Sequence, residues 1–159
     1  METPNPIHPL QELFVRIAEI KLPPDPRITT NKYHVMTYFW PSPCERLQGL
    51  WIYVDDYEIR LTTALSHCHV DKHSWEVRNA ESGSVLERIV DQGVAQALDI
   101  FSGETVFVKT YDPEGNEQTS SGMSPRRLWN DLEDRTNWTE FNGDGWTARA
   151  WDWRGEVTD

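Results

Sequence analysis

Cysteine is scarce: Cys44 and Cys68 are the two thiols among 159 residues. Two are too few for the disulfide framework of a small secreted domain, so reduced thiols and a cytoplasmic location are expected. No charged, apolar, small-residue signal opens the sequence. Long apolar runs are missing too, and none approaches the roughly 18 residues of a membrane-spanning helix. Basic residues are in deficit, with 15 Lys and Arg against 26 Asp and Glu and a formal net charge of -11. Such a molecule repels nucleic acid and anionic membrane surfaces over a Debye length of about 8 Å, and attracts a basic protein partner. The acids are dispersed rather than blocked, which argues against mimicry of a phosphate backbone. Glycine-rich phosphate loops, a Gly-x-Ser-x-Gly elbow and a dinucleotide fingerprint are all absent, which removes the commonest motif-borne enzyme classes.

Aromatic residues are abundant: eight tryptophans, five tyrosines and five phenylalanines. Each tryptophan brings a large apolar area and an indole N–H that needs a partner, so most belong in a core or at an interface. The length suits one domain with its own core, so residues 1–159 are expected to form a single domain.

Residues 1–9 carry three prolines and read as an irregular arm. Leu10, Leu13, Phe14, Ile17 and Ile20 then fall at helical spacing, predicting an amphipathic helix that ends before Pro23-Pro24. Pro23, Pro24 and Pro26 force an extended connector. Residues 33–40 read as an edge or near-edge strand, and residues 47–54 and 57–66 as a hairpin around Asp55-Asp56. Residues 73–83 are polar apart from Trp75 and Val77 and read as a loop. Ser84 and Glu87 form a capping-box pattern ahead of a helix that ends at Ser102-Gly103. Residues 105–111 and 118–120 suggest a second hairpin, Ser124-Pro125 opens a short helix to about Arg135, and residues 137–141 and 146–153 suggest a third hairpin. The expected fold is α+β: an antiparallel sheet built from β-hairpins, with two longer helices and one short helix packed on it.

One stretch concentrates chemistry. Residues 65–73, Leu-Ser-His-Cys-His-Val-Asp-Lys-His, hold three of the five histidines, one cysteine and a carboxylate. If the preceding strand continues, His67, His69, Asp71 and His73 share a face, and imidazole plus carboxylate are ligand types for zinc and related divalent ions. Strand geometry limits that reading, because a straight strand sets His67 and His73 roughly 20 Å apart. A bend at Asp71-Lys72 would be needed, with His67 and His69 as the local pair. Alternation also places Cys68 on the face opposite both imidazoles, so neither can easily activate its thiol. The His-x-His-x-Asp spacing is similar to the signature of metallo-β-lactamase-fold hydrolases, but Lys72 intrudes before the last histidine and no later ligands follow.

In the tail, Trp151 and Trp153 share one strand face while Trp146 lies on the other, close to Asp144, Asp152 and Glu156. Aromatic anchors with a charged rim have the composition of a recognition surface, giving Trp146, Trp151, Trp153 and Asp152 as candidate binding residues. The residues Ser66-His67-Cys68-His69-Val70-Asp71, a following helix and Glu104-Thr105-Val106-Phe107-Val108 make about a third of the chain resemble small uncharacterised bacterial proteins that include immunity proteins of toxin systems. That resemblance carries over no activity, but it agrees with the acidic balance, because an inhibitor of a basic nuclease toxin benefits from charge steering. A non-enzymatic acidic binder of a basic protein partner, of immunity type, is therefore the leading expectation. A metal-dependent hydrolase using His67, His69, Asp71 and His73 is the alternative.

Overall fold

Leu10, Phe14 and Ala18 recur at spacings of four on α1 (Pro9–Lys21), and all three are buried against the first sheet. The computed structural model describes residues 4–158, with all their side chains except those of Ser120 and Phe141. Residues 4–8 have no regular structure; the remainder of the expected arm before them lies outside the described residues.

The first sheet has five strands in simple sequence order: β1 (Arg27–Thr30), β2 (Met36–Pro41), β3 (Gly49–Val54), β4 (Ile59–Thr62) and β5 (His67–Val70). All neighbours are antiparallel, with Tyr38 opposite Ile52, Ile52 opposite Leu61 and Leu61 opposite Cys68. Alternation sends Met36, Tyr38, Trp40, Ile52, Val54, Ile59 and Leu61 inward. The helix α3 (Val85–Ser102) covers that face beside α1. Gly93 lets it close on β4, since a Cβ there would stand 3.0 Å from Ile59 Cδ1. Its Ser84–Glu87 capping box and the left-handed Gly103 at its end are those the sequence predicts.

The expected α+β class holds, with several differences inside it. The strands form two antiparallel sheets rather than one, the second ordered β7-β6-β8-β9 from β6 (Thr105–Tyr111), β7 (Glu117–Pro125), β8 (Thr147–Asp152) and β9 (Gly155–Val157). Phe107 and Trp151 from this sheet join the core under α1 and α3. Its other face, with Val106, Val108 and Ala150, is covered by Trp129 and Trp138. Ser42 Oγ donates to the Trp153 carbonyl at 2.8 Å and Arg46 pairs with Glu117 at 2.5 Å, tying the sheets together.

The stretch 73–83 is not all loop: α2 (Trp75–Arg78) forms there and buries Val77. Pro125 is the N-cap rather than the first residue of a helix, because Ser124 and Pro125 pair with Val106 and Thr105 as the end of β7. Two short helices follow, α4 (Arg126–Trp129) and α5 (Leu132–Thr136), the second capped by the Asp131 carboxylate. The expected tail hairpin across residues 142–145 is replaced by β8–β9, whose turn is held by Asp152 Oδ1 accepting from the N–H groups of Arg154 and Gly155.

Candidate binding cleft at the histidine strand

The histidine stretch does not prolong the strand before it. Thr63 Oγ1 accepts from the N–H groups of Leu65 and Ser66 at 3.2 and 3.3 Å, and Thr63 N–H donates to the Ser66 carbonyl at 2.8 Å. This side-chain-held turn folds β5 back along β4 as an edge strand of the sheet. His67 and His69 face solvent, opposite Thr62 and Arg60, and their rings meet edge-on with centroids 5.2 Å apart. His69 Nδ1 lies 3.1 Å from Glu58.

The chain does bend at Asp71. The bend consumes the carboxylate, because Asp71 Oδ1 accepts from His73 N–H at 2.7 Å and Ser74 N–H at 3.1 Å to start α2. His67, His69, Asp71 and His73 are thus not gathered about a point. Among the described residues no group of three or more His, Cys, Asp or Glu side chains is placed to hold an ion.

Cys68 points away from both histidines, as strand alternation requires. Burial pushes its thiol up to about 11, a backbone hydrogen bond at Leu61 opposes this in part, and the charge of Glu76 adds to it. A protonated thiol at neutral pH is a poor nucleophile. Cys68 lines a cleft of about 300 Å³ together with Glu76 from α2, Asp99 from α3, Glu104 ahead of β6, and Met123 and Pro125 from β7. Partial burial, reinforced by the nearby charge of Glu104, raises the Asp99 carboxyl from its ordinary value. Among the described residues, none of these three carboxylates has an ion pair or a side-chain hydrogen bond. Trp75, which precedes Glu76 on α2 but does not line the cleft, is 68% exposed. Large exposed aromatics beside charge are typical binding anchors.

The tail tryptophans are placed differently from the expected recognition surface. Trp151 is 4% exposed, inside the core, with the Arg46 and Arg149 guanidinium groups 4.9 and 5.3 Å from its ring. Trp153 is half-buried and packs edge-on against Phe101 at 4.8 Å. Trp146 is also half-buried. Asp152 pairs with Arg126 and holds the β8–β9 turn. Trp151 and Asp152 are therefore committed to packing and turn formation.

Of the cleft residues the sequence singled out Cys68; positions 76, 99 and 104 share no spacing and gave no signal. No helix among the described residues is long and apolar enough to cross a membrane. No protein-family model matches the chain, and comparison with curated proteins and with solved structures finds no match.

Proposed function

We propose that the protein is a non-enzymatic binder of a basic protein partner, of the immunity-inhibitor type, and that the partner's cationic side chains enter the cleft beside β5. The carrying observation is the convergence of Glu76, Asp99 and Glu104, without cationic partners among the described residues, around one concavity. Partial burial and then the charge of Glu104 raise the Asp99 carboxyl from its ordinary value, so a cation placed between the two relieves their repulsion. The net charge of -11 steers a basic partner toward the molecule.

A hexa-arginine peptide is a suitable probe, titrated calorimetrically at low and high salt. Binding should be saturable and weaken with salt. Three partly exposed pairs at about 0.5 kcal/mol each predict that Glu76→Gln, Asp99→Asn and Glu104→Gln together weaken it about tenfold. Neutralising the exposed Glu12, Glu114 and Glu140 instead should change it much less. Equal losses from both triple variants would mean that the peptide reads only net charge, and the cleft would lose its role.

A further inference from the structure

The edge strand β5 carries His67 and His69 two residues apart, so alternation sets both on the face opposite to Cys68 and the acidic cleft. Both residues are exposed. The backbone beneath them is fixed by pairing with β4, where Thr62 stands opposite His67 and Arg60 opposite His69. Such neighbours lie about 6.6 Å apart along a strand. Here the rings lean together until their centroids are 5.2 Å apart, with planes at 82°.

That separation suits one shared ion. With metal–nitrogen bonds of about 2.0–2.1 Å, two imidazoles on a tetrahedral ion have centroids about 5 Å apart. Each ring can turn about its own metal–nitrogen bond, so nearly perpendicular planes satisfy the same geometry.

The ring nitrogens are available. Glu58 Oε2 lies 3.1 Å from His69 Nδ1, and a carboxylate there favours the tautomer protonated on Nδ1, which leaves the Nε2 lone pair free. A carboxylate behind the imidazole is the usual outer support of a metal-bound histidine. His67 has no hydrogen-bond or ion-pair partner among the described residues. The cation opposite the pair is drawn aside, since the Arg60 guanidinium stacks 4.6 Å from the centroid of the Tyr53 ring. The net charge of -11 favours the approach of a cation.

We propose that His67 and His69 chelate a divalent first-row transition ion of the zinc type. His69 binds through Nε2 and His67 through one ring nitrogen; Glu58 positions His69, and water fills the remaining coordination positions. Two protein ligands make this an exchangeable surface site, unlike a structural zinc centre, which takes four.

Titration calorimetry of the untagged full chain with zinc chloride reads the site, with magnesium chloride as the control. Zinc should bind saturably, and magnesium, which takes oxygen donors, should bind far more weakly. His67→Gln and His69→Gln should each weaken zinc about 100-fold, because each leaves a single donor where two were tethered together. Glu58→Gln should weaken it about tenfold, since it keeps an acceptor behind His69 and removes the charge. His73→Gln should leave zinc affinity unchanged, because the Asp71 bend carries His73 out of the strand. The three histidines are exposed, so their variants should melt like the parent. Absence of saturable zinc binding, magnesium binding as tight as zinc, or an affinity unmoved by both His67→Gln and His69→Gln would overturn the assignment. So would a loss on His73→Gln as large as theirs.

Discussion

A single glutamine organises the junction of α1 with the first sheet. Gln11 is fully buried, though it sits on the helix face that carries Leu10, Phe14 and Ala18. Its Oε1 accepts from the N–H groups of Ile7 and His8 at 3.0 and 3.3 Å. Its Nε2 donates to the carbonyls of His34 and Val54 at 2.6 and 3.0 Å. One side chain therefore starts the helix, docks it on β3 and holds the turn before β2, where His34 adopts φ 63. Gln11→Leu keeps the volume and the apolar pattern but strands these four backbone groups, of which the Val54 carbonyl is buried. A loss of about 2–3 kcal/mol is expected in urea unfolding, since unsatisfied buried groups cost more than a hydrogen bond gains. A variant as stable as the parent would show that water replaces the amide there without cost. Periodicity could not reveal this role: Gln11 reads as an ordinary polar position inside an amphipathic helix, and its four partners are visible only once the chain has folded.

At the scale of elements, legibility followed the range of the forces involved. The helices α1 and α3 are written locally, in apolar spacing, a capping box and a terminal glycine, and both stand where those signals put them. The β3–β4 hairpin was legible despite its weak Asp-Asp turn, because Asp55 Oδ1 itself accepts from the N–H groups of Tyr57 and Glu58 and supplies the reversal. Strand β1 was not legible. Residues 27–30 are mostly exposed and become a strand only through pairing with β2. The reversal at residues 63–66 was hidden for another reason: it contains no Gly, Pro, Asn or Asp, and rests on the Thr63 hydroxyl. That turn decides the candidate site, because it makes β5 an edge strand and sends Cys68 toward α3 and β7. Thr63→Val preserves shape and removes the hydroxyl. It should cost about 1–2 kcal/mol, because two turn N–H groups lose their acceptor. Amide exchange should quicken selectively at residues 67–70, while the centre of α3 keeps its protection. Uniform quickening across the molecule would instead place the β4–β5 turn within the global unfolding unit.

At the scale of the whole molecule, its two perturbed buried acids make alkali a stronger stress than its composition suggests. Burial, assisted by Glu19, pushes Tyr38 up to about 12 from an ordinary value of 10.0. Burial likewise moves Cys68 to about 11 from 9.0. Both groups keep their protons in the folded chain at pH values where the unfolded chain has released them. Fewer protons on the unfolded state means that stability falls as pH rises, through about 9 to 11 for the thiol and 10 to 12 for the phenol. The net charge of -11 adds self-repulsion that deepens as further groups ionise. Tyr38→Phe separates the phenol from the rest, because it deletes an oxygen that has no partner. At neutral pH the variant should be as stable as the parent or slightly more so, having lost an unsatisfied buried group. Above pH 10 the parent should lose stability faster, so the gap between their melting temperatures widens toward pH 12. Melting curves on the two proteins across that range check this directly. A gap that stays constant from neutral to alkaline pH would mean that Tyr38 ionises equally well in the folded chain, and that its hydroxyl is open to water.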